Sequence, residues 1–258
     1  MKKRYTVLLM AMAAGAAIAA PVVDPARPDA RAIVDRAIDA LGGQHFTGMQ
    51  DRTLHAWTGA WHDGVAKHAR TRLDTLYTAD GVRERHTFDK KETHWLLFAG
   101  NEATEVTFRG QRPLAPEKAA ALRDATPDNI LEILRHRTGE PGFTATYRGP
   151  DICEKQSGYV VDVAASIDDP LLTVCFSQTT GLPISQTERK RDPQSGLPYD
   201  SVIVFSRYTE AGGVVWPRHV ARLEAGELVG ELFVEAMEVN TGLPAERFFL
   251  PVDLARLR

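Results

Sequence analysis

Cysteine is scarce in this 258-residue chain: only Cys153 and Cys175 are present. A disulfide-built miniature scaffold is therefore excluded, and so is a cysteine-rich zinc or iron–sulfur module. No Cys-x-x-Cys spacing marks a redox-active pair. An excess of positive charge is also missing, with 31 Lys and Arg against 34 Asp and Glu. A mildly acidic chain without a basic stripe has no electrostatic footprint for nucleic acid, so none is expected as a partner. The Gly-x-Ser-x-Gly elbow, the His-Glu-x-x-His helix and the Gly-rich phosphate loop are absent. Those patterns supply the geometry for acyl-transfer, zinc-protease and nucleotide chemistry. Without them no residue is marked as catalytic, an exported hydrolase is the least favoured reading, and no cofactor is expected.

Long apolar runs are missing too, except at the start. Lys2, Lys3 and Arg4 precede an uncharged stretch from Tyr5 to Ala20, and Ala17-Ile18-Ala19 gives the small-x-small pattern of signal-peptidase sites. The stretch is shorter than the ~20 apolar residues that a membrane span requires. Residues 1–19 are therefore expected to be a cleaved signal peptide. Residues 20–258 would be one exported domain in the periplasm, with no membrane span. No cysteine follows the cleavage site, so a lipid anchor is not expected. Losing three positive residues makes the mature chain more acidic than its full-length formal charge of −3.

What is present is period-two alternation. Ile33, Val34, Ala37, Ile38 and Leu41 first make a helical stripe over Asp29–Leu41, which Gly42-Gly43 should end. After that, strand-like stretches follow one another: 53–61, 66–77, 82–88, 93–98 and 103–109, then 143–147, 159–164, 171–177, 184–189, 201–208, 215–223 and 228–239. The links between them are short, which means antiparallel neighbours, because a parallel crossover needs a dozen or more residues. In the second stretch Ala69, Thr71, Leu73 and Thr75 share a covered face, while His68, Arg70, Arg72 and Asp74 share a wet one. An Ala-rich helix begins at Pro116. Thr126-Pro127-Asp128 restarts a helix whose apolar face is Ile130, Leu131 and Leu134. The fold class is mainly β, with few helices.

The polar clusters read as ordinary surface. His55, His62 and His68 alternate in direction and do not converge as metal ligands. His86 and His94 flank a turn and could face each other across a hairpin. Asp168-Asp169 and Glu188–Asp192 sit at turns, where water keeps carboxylates ionised. Cys153 and Cys175 form either a disulfide or two buried thiols. The apolar alternating residues are the candidates for contact with a greasy ligand: Trp95, Leu97, Val106, Phe108, Val161, Val163, Leu172, Val174 and Phe176.

The C-terminal half carries a recognisable pattern. Tyr208 precedes Gly213-Val214-Val215-Trp216-Pro217, and Asn240 precedes Gly242-Leu243-Pro244, Phe248 and Pro251. Together with the opening helix Ala32–Gly43, this resembles the LolA/LolB-like outer-membrane lipoprotein-sorting superfamily. The resemblance implies a strongly curved antiparallel sheet, a half-barrel of about 11 strands, with helices covering its concave face. It implies an apolar cavity for a lipid, an acylated protein or another amphiphile, and a lid formed by the helix bearing Ile130, Leu131 and Leu134. It also leaves a second reading open, in which the same cleft takes a protein partner. A monomer is expected.

Overall fold

A computed structural model describes residues 28–62, 65–100, 102–124, 129–192 and 194–251. The stretch expected to be a signal peptide, the turn expected at 63–64 and the cap expected at 126–128 lie outside the described residues. One antiparallel sheet of 13 strands dominates, curved but not closed, with the short helices on its concave face. The N-terminal half forms β1 (Asp51–His62), β2 (Val65–Thr78), β3 (Gly81–Thr87), β4 (His94–Ala99), β5 (Glu102–Thr107) and β6 (Gly110–Pro113). The C-terminal half forms β7 (Thr144–Cys153), β8 (Gln156–Ala164), β9 (Leu172–Ser177), β10 (Pro183–Arg191), β11 (Pro198–Ala211), β12 (Val214–Glu224) and β13 (Glu227–Val239).

Each half is a meander, and the two join where β1 pairs with β13, from Arg52↔Val239 to Ala60↔Gly230. This order places β6 at one edge and β7 at the other. The chain between them must therefore travel the full width of the sheet, and the helices lie on that route. They are α3 (Pro116–Asp124) and α4 (Asn129–Glu132), the latter continuing as a π-type turn over Ile133–Arg137. Bulges at His55/Ala56, Tyr147/Gly149, Pro183/Ser185 and Arg222/Leu223 add the local twist that bends such a sheet.

The opening helix α1 (Ala30–Ala40) starts where the side chain of Asp29 accepts from the Arg31 amide. It buries Ile33, Val34 and Ala37. A short helix not foreseen from Gly42-Gly43, α2 (Gln44–Thr47), follows and inserts Phe46. The corner between them touches the β11–β12 turn: a Cβ on Gly42 would sit 2.2 Å from the Gly213 carbonyl oxygen. Only a residue without a side chain permits that approach. Tyr208 is fixed close by, its hydroxyl donating to the Pro183 carbonyl at 2.8 Å, and burial pushes its pKa well up so that it stays a donor.

Three apolar clusters result. The main one joins α1, α2 and α4 to the concave face of β7–β9, β11–β13 and β1. A second lies under α3, where Ala119 meets Leu96, Phe98 and Ala103. The third is on the convex face, where Trp95, Leu97 and Val106 are covered by Phe248 from the C-terminal 3-10 turn Ala245–Phe248. Strand β4 is therefore buried on both sides, which explains its unbroken Trp-Leu-Leu-Phe run.

That C-terminal segment corrects one expectation. Alternation puts Asp74 on a wet face, yet its side chain is fully buried beneath Arg247. Arg247 Nε donates to Asp74 at 2.6 Å and its terminal nitrogen to Glu92 at 2.7 Å. Arg72 and Thr53 also donate to Asp74, and Arg85 donates to Glu92. Burial pushes both carboxyls up, but the hydrogen bonds and charge of the arginines outweigh it and hold both below their ordinary range. The sign for stability follows. Groups with a depressed folded-state pKa stabilise the fold at neutral pH, and that contribution is lost as pH falls through the folded-state values. The melting temperature should therefore drop steeply below about pH 4. Arg247→Met should flatten that acid limb in a melting series; an unchanged limb would show that this network does not govern it.

Candidate functional site

Between the main core and the α3 cluster the concave face is left partly unfilled. An apolar cavity of about 390 Å3 lies there. Its floor comes from the middle strands and is made of small residues: Thr58, Gly59 and Ala60 on β1, Ala69 and Thr71 on β2, and Gly230 on β13. The walls are larger. Leu73, Val220 and Leu232 belong to the main-core side, while Phe88, Leu96 and Leu122 belong to the α3 side. Strand pairing keeps these side chains on one face, because Thr58 stands opposite Ala69 and Leu232, and Ala60 opposite Gly230.

Most of the polar groups around this space have partners of their own. The Thr58 and Thr71 hydroxyls are 3.0 Å apart, and Thr58 also reaches the Ala69 carbonyl at 3.2 Å. His86 sits 3.4 Å from Glu84 and packs on Phe98 with ring centroids 4.8 Å apart. Arg222 donates to Glu224, although its Nε is buried without a hydrogen-bond partner. A mostly apolar space favours a greasy ligand over a charged one.

The structure places the sequence candidates elsewhere. Val161, Val163, Leu172, Val174 and Phe176 are buried in the main core. Trp95, Leu97 and Val106 lie on the convex face under Phe248. Phe108 is 50 % exposed, with Arg109 over its ring. None of these nine lines the cavity. Ile130, Leu131 and Leu134 are packed into the main core, where the Ile130 amide donates to Gln186 at 2.9 Å. Among the described residues, Leu122 of α3 is the helical residue at the cavity. The small floor residues were missed because apolar alternation flags filled space, whereas a cavity forms where large side chains are lacking.

Other candidates resolve as well. Cys153 and Cys175 are bonded, with their Cα atoms 6.6 Å apart. His86 and His94 do not face each other: His86 pairs with Leu96 in register, while His94 packs on Phe88 and bonds Glu105 at 3.1 Å. Asp169 anchors the π-type turn by accepting from Arg137 at 2.7 Å. Among the described residues no three His, Cys, Asp or Glu side chains converge as a metal site.

One polar row escaped the sequence reading. Ser206 Oγ lies 3.1 Å from His219 Nδ1, and His219 Nε2 lies 3.0 Å from Glu231. The residues come from β11, β12 and β13, so only the sheet register brings them together. Alternation turns them away from the core residues Phe205, Val220 and Leu232, and His219 stacks on Phe233 there. This is a cross-strand ladder on a sheet face.

The sheet edges bear on the protein-partner reading. A partner strand would add to β7 or β6. Strand β7 is broken by the Tyr147/Gly149 bulge and carries Pro150, and β6 has four residues. Both are the devices that blunt an edge.

No protein-family model matches the chain, and no curated protein matches it in sequence. Solved structures do match in fold. A DUF1329 family protein from Desulfovibrio piger aligns with a TM-score of 0.62 at 13% identity, over 89% of this chain and 99% of that one. An outer-membrane lipoprotein-sorting protein domain from Vibrio parahaemolyticus aligns with 0.56 at 12%, over 85% and 97%. A LolA superfamily protein from Nitrosomonas europaea aligns with 0.53 at 14%, over 87% and 99%. Curved open sheet, concave-face helices and near-complete mutual coverage agree: the chain has a LolA/LolB-like fold.

Proposed function

We propose that this chain is an exported periplasmic protein that binds and carries an amphiphile, a lipid or an acylated protein, without catalysis. The observation that carries this reading is the apolar cavity floored by Thr58, Ala60, Ala69, Thr71 and Gly230 between two filled cores. A well-packed sheet face has no reason to leave such a trough, since each missing side chain forgoes roughly 1.5–3 kcal/mol of burial. A ligand tail would recover that burial. The signal-peptide pattern at residues 1–19 fits the same reading, because an apolar chain needs shelter in an aqueous compartment. Residues 20–258 would then form one freely diffusing monomeric domain.

The test is direct. Purified protein should raise the emission of a fluorescent fatty acid, and unlabelled fatty acid should reverse the rise with a micromolar midpoint. If no probe binds at any concentration below its own micelle threshold, the reading fails.

A further inference from the structure

Exposed apolar side chains are not spread evenly over this molecule. Among the described residues eight large ones are exposed, and four of them, Phe108, Ile167, Leu171 and Leu197, lie in the links between strands. Phe108 follows β5, Ile167 and Leu171 follow β8, and Leu197 follows β10. Every pair of neighbours in the sheet is antiparallel, so β1, β5, β8 and β10 run the same way and finish on the same side. The four tips therefore share one rim. The cavity lies toward that rim as well, with Thr58 and Ala60 near the close of β1 and Gly230 near the start of β13.

The turns hold these tips out. Ile167 is 93 % exposed. Beside it the Ser166 hydroxyl and Arg137 both donate to Asp169, at 2.8 and 2.7 Å, which ties the turn to the π-type segment while Ile167 faces water. Leu197, 66 % exposed, ends a hairpin that outreaches its neighbours. Strand β10 last pairs with β9 at Glu188↔Leu172, and β11 first pairs with β12 at Ser201↔Glu224. Three more pairs, from Arg189↔Asp200 to Arg191↔Pro198, run on beyond them, roughly 10 Å of strand. Asp192 steadies the turn by accepting from the Gln194 and Ser195 amides at 3.0 and 2.6 Å. In the turn of Phe108 the Thr107 hydroxyl donates to the Gly110 carbonyl at 3.3 Å and accepts from the Arg109 amide at 3.2 Å.

Separate apolar tips on separate turns do not make the continuous patch of about 800 Å2 that a stable protein partner covers. A fluid hydrocarbon layer needs no matching shape. Turns that bond their own backbone groups also enter its boundary at low cost, because fewer N–H and C=O groups lose water unpaired. Charge points the same way. Stretches 107–110, 165–171 and 189–200 carry four bases and four acids between them, so no net charge repels a headgroup or demands one. We propose that this rim docks on a phospholipid bilayer, with Phe108, Ile167, Leu171 and Leu197 reaching the boundary between headgroups and acyl chains. Docking brings the cavity to the layer that holds amphiphiles. This adds a docking surface to the amphiphile-binding reading, and either can fail alone.

Sedimentation with sucrose-loaded phosphatidylcholine vesicles tests this on the intact mature protein. The wild type should pellet with the vesicles, and raising NaCl from about 0.1 to about 1 M should change the bound fraction less than about twofold, because apolar burial and not charge drives docking. Phe108→Ser, Ile167→Ser and Leu197→Ser combined should weaken vesicle binding by roughly tenfold or more. Fatty-acid binding and the melting temperature of that variant should stay at wild-type values, since the three side chains lie outside the core and the cavity lining. Should the triple variant fail to fold, Leu197→Trp decides: its emission should shift to the blue on adding vesicles, and an unshifted spectrum would overturn the proposal. So would equal pelleting of wild type and triple variant, or pelleting only with anionic vesicles that salt reverses. No pelleting with either vesicle would overturn it too, and would turn the rim over to a protein partner. Vesicle docking without any fatty-acid binding would sink the carrier reading and leave this surface standing.

Discussion

Asp51→Ala is expected to lower stability by about 3 kcal/mol or more and to release the C-terminal segment from the sheet. The residue is 3 % exposed and its carboxylate is the acceptor for a whole turn. Thr241 donates through its amide at 2.8 Å and its hydroxyl at 3.1 Å; the amides of Gly242 and Leu243 follow at 2.9 and 3.3 Å. Asn240 reciprocates, its side-chain oxygen accepting from the Gln50 amide at 2.7 Å. Charge-assisted bonds of this kind contribute roughly 1.5–3 kcal/mol each, but a shared acceptor makes them non-additive. Alanine leaves three amides and a hydroxyl of a largely exposed turn without their buried acceptor. Phe248 would then lose its seat on Trp95, Leu97 and Val106, and Arg247 its place over Asp74. Urea denaturation reads the loss, and limited proteolysis after residue 240 reads the release. A variant with wild-type midpoint and wild-type cleavage would show that the segment is held by Phe248 and Arg247 alone.

That latch explains why parts of the molecule could be read from sequence and others could not. The strands and α1 are local: alternation and helical spacing are written in consecutive residues, and Asp29, Gly42 and the turn residues punctuate them. The Asn240-x-Gly-Leu-Pro pattern was visible as a resemblance, but its physical role depends on Asp51, which lies at the other end of the chain. Strand β4 shows the same limit. Trp95 and Leu97 read as inward-facing apolar residues, yet alternation distinguishes two faces without saying which is concave. The convex side of β4 is apolar only because Phe248 returns to cover it. Asp74 misled for the matching reason, since its partner Arg247 is remote. The cavity was the least legible feature of all. Thr58, Ala60, Ala69, Thr71 and Gly230 form no motif, and their significance is the volume they leave empty once β1, β2 and β13 are side by side.

Gly158 offers the sharpest test of how the sheet and the disulfide were made to fit. Cys153 is on β7 and Cys175 on β9, so the bridge passes over β8, the strand between them. It crosses at Gly158, where a Cβ would sit 2.2 Å from the Cys175 sulfur and 3.3 Å from that of Cys153. Strand pairing holds Gly158 between Asp151 and Ser177, so it cannot move aside. Gly158→Ala should therefore be incompatible with the closed bridge. Mass spectrometry after thiol alkylation should find two free cysteines in the folded variant. The cost should approach that of losing the disulfide, about 3 kcal/mol for a loop of 22 residues in the chain-entropy model. A double-mutant cycle separates this from any effect of alanine on the strand itself. In a Cys153→Ser, Cys175→Ser background the obstacle is gone, and alanine should be neutral or slightly stabilising, because glycine weakens a strand interior. Equal costs in the two backgrounds would mean that the bridge does not need the glycine. A cost confined to the disulfide-bonded form would show that the missing side chain at 158 is what lets the staple span three strands.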